Sequence, residues 1–377
     1  MSEFVFSKDL NKIKKLKNTL KVSFLVDSSK SLKKLNLNND RLIQFKKFLN
    51  DISFDFTRHQ VSIETLKHAK DLAKLNGVED WIKSILSGKK VNKSENRAAL
   101  HSALRCEQND DFSKVLIKII LKQRDELLFF ADRIRSGEIK TLNGIKYSSI
   151  LSLGIGGSDL GPKMTTNALK NFSNGPIIRF VSNIDPSELH NTLNSIDPKS
   201  TLVIVSSKSF TTSETLLNAR AVFSWLANKI GEKNAKHQRI AITSNKNNAV
   251  IEGFKNHQIF TFNEWVGGRT SIWSSIGLPL AIAIGSKEFK SFLSGGREVD
   301  NHIRKNILDS IPCHMALLGY IQRHYFEASS HAIIPYDTNL FYFPSYLQQL
   351  EMESNGKSAK INGELVSNAC VPVIWGA

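Results

Sequence analysis

The sequence predicts an α/β protein with a parallel β-sheet, and three features of its hydrophobic pattern lead to this prediction. Residues 1–140 have mostly helical periodicity. Between residues 147 and 262, short β-rich apolar runs alternate with helical runs. A second helix-rich region begins at residue 278 and is followed by two further apolar runs. Strands that alternate with helices form βαβ units, whose strands pair in parallel.

The N-terminal region is predicted to contain helices at 62–75 and 111–134. Further helices at 163–170 and 213–229 lie among the strands that follow. Five strands are predicted in that part of the chain, at 147–153, 176–183, 201–206, 239–243 and 258–262.

The last two apolar runs, at 332–335 and 371–375, flank a helix predicted near 340–349. A buried parallel strand should lead into a loop and a helix that covers the sheet. Because two residues follow the run at 371–375, we expect a second α/β unit that is incomplete. The expected domains are a mostly helical region at 1–140, a first α/β/α domain at 141–285 and a truncated second one at 286–377.

Composition favours a soluble cytoplasmic protein. Hydrophobic residues make up 41% of the chain, and no run approaches the roughly 18 apolar residues of a membrane helix. The N-terminus lacks the apolar core and cleavage site of a secretory signal. Cys106, Cys313 and Cys370 are far apart and have no metal-ligand spacing, so neither a disulfide framework nor a metal site is expected.

The net charge of +16 is concentrated near the N-terminus. Residues 1–50 carry 12 Lys and Arg against 4 Asp and Glu, which is half of the net charge. Such a surface could bind nucleic acid or an anionic membrane. The simpler interpretation is the solvated face of N-terminal helices, because the lysines alternate with aliphatic residues. No nucleic-acid-binding motif is present, and we expect neither a nucleic-acid nor a membrane partner.

The first candidate site segment is LGIGGSDLGP, at residues 153–162. It follows a predicted strand and opens a helix, where glycines let a ligand approach the backbone and the helix N-terminus favours an anion. A dinucleotide fingerprint is not satisfied, because Asp159 occupies the sixth position. The simpler interpretation is a plain turn.

The second segment is SSKSFTTSET, at residues 206–215, between a predicted strand and a helix. Hydroxyls, a lysine and the free N–H groups of a helix N-terminus together suit a phosphate. Helix capping alone is the simpler explanation, but one cap needs one hydroxyl. Seven Ser and Thr in ten positions exceed that need.

Two further segments carry charged groups. In EWVGGRTSIW, two glycines precede Arg269, whose planar cation suits an oxyanion or a phosphate, although an exposed arginine is the default interpretation. In QQLEMESNGK, Glu351 and Glu353 are two residues apart, so they cannot share a helix face. At most one of them is expected to point into a site, and two solvated glutamates are the simpler alternative.

Together these segments resemble the glucose-6-phosphate isomerase family. SSKSFTTSET is similar to its SKTFTTxET phosphate loop, with Ser209 in place of a threonine. EWVGGRTSIWSSIGL and QQLEMESNGK are similar to its xWVGGRxSxWSxxGL and QQxxMESNGK segments. SENRAALHSALR, at residues 94–105, is similar to its TExRAVLHxALR stretch. The resemblance covers roughly residues 40–377 in the family's order.

The resemblance implies two sugar-isomerase α/β/α domains, a homodimer, a sugar-phosphate substrate and no cofactor. It implies the interconversion of glucose 6-phosphate and fructose 6-phosphate through an enediolate. Glu353 matches the base that moves a proton between C1 and C2, Arg269 the cation beside the enediolate oxygen, and Glu214 a glutamate that orients a histidine. The positions that match sugar- and phosphate-binding residues are Gly157, Ser158, Ser207, Lys208, Ser209, Thr212 and Gln349.

One part of the family pattern is not found in the 377 residues. The family has a ring-opening histidine in a Gly-x-Asn-x-x-His segment after the VPVIWG run, and a later lysine. The resemblance therefore predicts that this chain is a fragment and inactive by itself. Two alternatives stay open. A non-catalytic sugar-phosphate-binding protein would need neither Glu353 nor Arg269, and a nucleic-acid-binding protein is suggested by charge alone.

Overall fold

The computed structural model describes residues 9–366 and 370–376. The chain divides into two compact units. We call Met1–Asn96 with Glu298–His331 the helical unit, and Arg97–Arg297 with Ala332–Ala377 the sheet unit. The predicted domain boundaries at residues 140 and 285 stay a prediction. Within the described residues, no helix is both long enough and apolar enough to span a bilayer.

The described residues form helices and strands in the following order. The α-helices are α1 (Leu10–Ser28), α2 (Leu32–Leu35), α3 (Asn39–Phe45), α4 (Ile63–Leu75), α5 (Val78–Leu86), α6 (Lys114–Ser136), α7 (Leu160–Ala168), α8 (Pro186–Asn194), α9 (Ser213–Ile230), α10 (Glu232–His237), α11 (Lys246–Ile251), α12 (Leu278–Ile284), α13 (Ser286–Lys305), α14 (Ile311–His324) and α15 (Phe343–Leu347). The strands are β1 (Lys46–Leu49), β2 (Ile52–Asp55), β3 (Ser149–Leu153), β4 (Ile177–Val181), β5 (Thr201–Ser206), β6 (Arg239–Thr243), β7 (Ile259–Thr261), β8 (Ser330–Ala332) and β9 (Val373–Trp375).

Both helices predicted in the N-terminal region are confirmed, and side-chain caps set where they begin. The Ser62 hydroxyl accepts the N–H of Thr65 at 3.2 Å in the first turn of α4. Ser113 caps α6 in the same way, and the residue after the helix is the C-cap Gly137, whose φ of 74° favours glycine. The pattern of apolar residues therefore predicts the helix, and the cap fixes its first residue.

The helical unit also contains an antiparallel hairpin that the sequence pattern did not predict. Strands β1 and β2 pair from Lys46 with Asp55 to Leu49 with Ile52. Asn50, in the turn, has a φ of 50°, which asparagine tolerates better than most residues. Each strand has four residues and is largely exposed, so neither has the clear alternation that predicts a strand.

The sheet unit is built on a five-stranded parallel sheet with the strand order β4-β3-β5-β6-β7. Ser149 of β3 lies opposite Ile177 of β4 and Thr201 of β5. At the other end of β3, Leu153 lies opposite Val181 and Val205. The predicted strands are confirmed, and β5 and β6 have the predicted bounds. The chain proceeds outward in one direction from β3 to β4 and in the other from β5 to β7. The direction changes between β3 and β5, which makes this the topological switch point.

Helices cover both faces of this sheet and make an α/β/α sandwich. On one face, α6 and α12 pack against Ile150, Ile204 and Ile242. On the other face, α9 packs against Val203 and Val205. Alternate residues of each strand therefore enter different cores, which explains why the strands are continuous apolar runs. The predicted fold class is confirmed by this arrangement.

The C-terminal part of the sheet unit differs from the prediction in two details. The helix predicted near 340–349 is α15, and it continues into a π-helical turn at Gln348–Glu353. The strand predicted at 332–335 lies earlier, at β8. The apolar run at 371–375 contains β9, whose Trp375 carbonyl accepts the N–H of Ile333 at 2.8 Å. Ala377, at the predicted truncation, lies outside the described residues.

A buried histidine makes the helical unit sensitive to acid. His314 on α14 is 1% exposed, and both of its ring nitrogens lack hydrogen-bond partners. Its ring lies 5.5 Å from that of Phe45 and 4.8 Å from that of Phe56. Burial, together with the nearby Lys47 and Lys70, lowers the pKa of His314 to about 4. The imidazole is therefore neutral in the folded protein.

We expect His314→Leu to remove part of the acid sensitivity of folding. Unfolded histidine binds a proton below about pH 6.5, whereas folded His314 does so only near pH 4. Its contribution to stability is thus complete above pH 6.5 and is lost as the pH falls toward 4. The melting temperature of the parent should drop over that range by on the order of 5 °C more than that of the variant.

Thermal unfolding followed by circular dichroism between pH 7.5 and pH 4.5 checks this expectation. His190→Leu is the control, because His190 is exposed. The melting temperature of this variant should depend on pH as that of the parent does. Parallel curves for the parent and His314→Leu would show that the buried imidazole does not titrate as described.

Candidate functional site

Two of the predicted site segments lie at the carboxyl ends of neighbouring strands. The glycine segment follows β3, and the Ser/Thr loop, residues 206–212, follows β5. These two strands flank the topological switch point. In open parallel sheets, ligands bind in the crevice that forms outside the strand ends at this point. The fold thus places both segments where a binding site is expected.

The glycine segment packs directly on the segment that carries Arg269. A Cβ atom added to Gly157 would lie 2.1 Å from the carbonyl oxygen of Gly268, so no side chain fits there. The hydroxyl of Ser271 donates to the carbonyl of Gly157 at 3.0 Å. Ser158 follows in the same short turn and is half-buried. Backbone contact therefore fixes the distance between these two segments.

The hydroxyls of the Ser/Thr loop do not cap the helix that follows. Thr212 is the N-cap residue of α9, and its side chain makes no capping hydrogen bond. Its Oγ1 instead lies 3.1 Å from Oγ of Ser207. The capping explanation for this segment therefore fails, and two converging hydroxyls lie at the N-terminus of an 18-residue helix. Such an arrangement suits an anion.

Lys208 joins the Ser/Thr loop to the segment that carries Arg269. Its Nζ donates to the carbonyl of Val266 at 2.9 Å. Its own carbonyl accepts hydrogen bonds from Thr243 Oγ1 at 2.9 Å and from Ser244 Oγ at 2.8 Å. The lysine therefore lies within the site and is held at both its backbone and its ammonium group.

Ser209 lies on the exposed side of the same loop. Its Oγ is 2.6 Å from Oγ1 of Thr211, and its carbonyl accepts from Asn248 Nδ2 at 2.9 Å. Of the three predicted phosphate-binding hydroxyls, Ser207 and Thr212 are thus paired with each other, whereas Ser209 is paired with Thr211.

The fourth segment contacts the first and the third. Tyr346 is buried, and its hydroxyl donates to the carbonyl of Arg269 at 2.9 Å. A Cβ atom added to Gly156 would lie 2.8 Å from Nε2 of Gln349, so the Gln349 amide lies against the glycine segment. Gln349 Oε1 is buried without a hydrogen-bond partner, which leaves an acceptor available to a bound ligand.

The π-helical turn distinguishes Glu353 from Glu351. Glu353 is four residues after Gln349, and side chains at this spacing share a helix face. Glu351 is two residues away from each and projects elsewhere. Glu353 and Arg269 are both exposed, and in the described part of the chain no ion pair joins their side chains. Both charged groups are therefore accessible to a ligand.

Glu214 lies in the first turn of α9 and is half-buried. Its Oε2 accepts a hydrogen bond from the hydroxyl of Ser213 at 3.0 Å. This places the carboxylate directly after the Ser/Thr loop, but its role beside a histidine stays a prediction.

Three residues that were not predicted to have a role in the site also belong to this region. Tyr346 and Ser271 provide the hydrogen bonds that hold the segments together. Tyr346 lies three residues before Gln349, and this spacing could have placed it on the same helix face. Asp159, next to Ser158, is 3% exposed, and burial raises its pKa to about 6. No sequence signal distinguishes such a carboxyl from an exposed one.

Comparison with known proteins gives a consistent family match. A sequence model described as phosphoglucose isomerase matches residues 55–377. Glucose-6-phosphate isomerase of Rhizobium leguminosarum bv. trifolii is 42% identical over 345 residues, which cover 90% of this chain and 63% of that protein. The same enzyme of Agrobacterium fabrum is 41% identical over the same shares. The chain thus spans less than two thirds of the length of these curated relatives.

A solved structure resembles the whole described fold. The crystal structure of a glucose-6-phosphate isomerase from Chlamydia trachomatis superposes with a TM-score of 0.83 at 28% sequence identity. The match covers 96% of this chain and 70% of that chain.

We expect Ser207→Ala and Thr212→Ala to weaken phosphate binding. Each change removes one of the two converging hydroxyls, so the dissociation constant of glucose 6-phosphate should rise by roughly tenfold, while any binding of unphosphorylated glucose stays unchanged. Isothermal titration calorimetry with both sugars checks this. Ser213→Ala is the matched control, because the Ser213 hydroxyl is bonded to Glu214 instead. Equal effects on both sugars would contradict a phosphate site in this loop.

Proposed function

Since this chain belongs to the phosphoglucose isomerase family, we propose that it carries the sugar-phosphate site of a glucose-6-phosphate isomerase. The proposed reaction interconverts glucose 6-phosphate and fructose 6-phosphate through an enediolate. The observation that carries the proposal is the contact among all four segments at the switch point. They bring a hydroxyl loop, a carboxylate and a permanent cation into one region of the sheet unit.

In this proposal the phosphate binds to the Ser/Thr loop. Ser207, Thr212 and the first N–H groups of α9 donate to its oxygens, with Lys208 and Ser209 beside them. Gly157 and Ser158 lie next to the sugar chain, and Gln349 contacts a sugar hydroxyl. The unpartnered Oε1 of Gln349 supports that contact, because a buried acceptor is stabilised by a donor from the ligand.

The chemical step needs a base that reaches two adjacent carbons. In our proposal Glu353 removes the proton from C2 of the aldose and returns it to C1, which yields the ketose. Negative charge develops on the oxygens of the enediolate, and Arg269 stabilises it. The reaction moves one proton from C2 to C1 and one from O2 to O1 and leaves the overall oxidation state unchanged, so we propose no cofactor.

Ring opening requires a further acid–base group. Glu214 is proposed to orient a histidine in that step, and none of the ten histidines in the 377 residues has the Gly-x-Asn-x-x-His context. We therefore propose that a polypeptide of these 377 residues acts poorly on the closed ring and better on open-chain substrate. A general acid–base group typically contributes about 10²–10⁴-fold to the rate.

The remaining features of the proposal concern the protein as a whole. We propose a cytoplasmic homodimer that acts on a sugar phosphate and has neither a nucleic-acid nor a membrane partner. A non-catalytic sugar-phosphate-binding protein is the alternative. It would require the phosphate loop but no base, so a test of Glu353 distinguishes the two functions.

We expect Glu353→Gln to abolish most of the proton exchange while sugar phosphate still binds. The amide keeps the shape of the side chain but cannot accept the proton. Exchange of the carbon-bound hydrogen at C1 of fructose 6-phosphate with D₂O, followed by NMR, should slow by about 10²–10⁴-fold. This assay reports on the proton-transfer step after the ring has opened.

Glu351→Gln is the matched control, because it makes the same chemical change two residues away on another face of the turn. Its exchange rate should stay within about threefold of the parent. Slow exchange in Glu351→Gln and normal exchange in Glu353→Gln would reverse the assignment. Binding without exchange in the parent would favour the non-catalytic alternative.

A further inference from the structure

The Ser/Thr loop contains a phenylalanine in an unfavourable backbone conformation. Phe210 has a φ of 55°, in the left-handed region. Four non-glycine residues have positive φ in the described chain, and two of them are asparagines, which tolerate this region. For a bulky residue such as phenylalanine it is a marked outlier, and such conformations persist where the surroundings enforce them.

The side chain of Phe210 is held in place by the residues around it. It is 2% exposed, and its ring meets that of Phe254 edge to face, with centroids 5.6 Å apart at 90°. Phe254 also packs on Phe223 of α9, at 5.8 Å. The guanidinium of Arg239 lies over both Phe254 and Phe223, at 4.8 Å and 5.1 Å. The ring of Phe210 thus enters a packed aromatic cluster beneath the loop.

The conformation of Phe210 determines where the loop hydroxyls lie. Its backbone N–H donates to Oγ of Ser207 at 3.2 Å. The same Oγ is 3.1 Å from Oγ1 of Thr212. Because φ and ψ of Phe210 set the course of the chain that follows, an extended Phe210 would carry Thr212 away from Ser207. The left-handed residue therefore closes the loop so that the two hydroxyls converge.

We propose that Phe210 is a positioning residue for phosphate: its buried ring, held by Phe254, keeps the loop in the strained conformation that brings the Ser207 and Thr212 hydroxyls together. This inference rests on the proposed function, because it requires that the loop bind the phosphate of a sugar phosphate. The ring does not touch the ligand. It acts by reducing the ordering that the loop must undergo when phosphate binds.

The experiment measures phosphate affinity in variants of the aromatic cluster. Phe210→Leu shortens the buried side chain, and Phe254→Leu removes its edge-to-face partner without changing the loop sequence. Both should raise the dissociation constants of inorganic phosphate and glucose 6-phosphate by about tenfold, because the loop is no longer held in the binding conformation.

Phe223→Leu separates positioning from general stability. Phe223 packs on Phe254 from the helix side. The Phe223→Leu change should lower the melting temperature by about as much as Phe254→Leu does, while the phosphate affinity stays within about twofold of that of the parent. Equal losses of affinity in all three leucine variants, or unchanged affinity in Phe210→Leu and Phe254→Leu, would overturn the inference. A parent protein that binds neither ligand would overturn the proposed function itself, and the inference with it.

Discussion

The backbone of Gly157 lies so close to Gly268 that even a methyl group has no space between them. This contact brings the segment after β3 against the segment that carries Arg269, and the Ser271 hydroxyl reinforces it. The other two segments are attached to the same pair, since Lys208 bonds to Val266 and Tyr346 bonds to the carbonyl of Arg269. A side chain at position 157 would therefore push the glycine segment away from the segment that carries Arg269, to which the other two segments are attached.

The candidate site combines a fixed backbone with accessible functional groups. The loops are held by hydrogen bonds and by buried rings, whereas the charged ends of Arg269 and Glu353 are exposed. A preorganised backbone reduces the ordering that accompanies binding. Exposed charges keep their hydration until a ligand replaces it, so the free protein does not bear the large penalty of burying them unpaired. In the described part of the four segments, the side-chain atoms that are buried without partners are Asp159 Oδ1, Ser206 Oγ, Thr215 Oγ1 and Gln349 Oε1.

Much of this arrangement could be predicted from the sequence, because its signals are local. Strands β5 and β6 are apolar runs buried on both faces, and their bounds match the prediction. The segments that form the site are recognisable as motifs. The φ of Phe210 could not be predicted, since it depends on packing against Phe254, which is 44 residues away in the chain. The β1–β2 hairpin also lacked a local signal, because its two strands have four residues each and are largely exposed. The π-helical turn is a single six-residue stretch that the apolar pattern does not distinguish from an α-helix.

We propose that these four segments form one sugar-phosphate site with Glu353 as the base. A crystal structure of the protein with an acyclic six-carbon sugar phosphate would test it most directly. We expect a phosphate within hydrogen-bond distance of Ser207 and Thr212, and the C1–C2 end of the sugar within reach of Glu353 and Arg269. A phosphate bound elsewhere, or a ligand whose C1–C2 end points away from Glu353, would contradict the account.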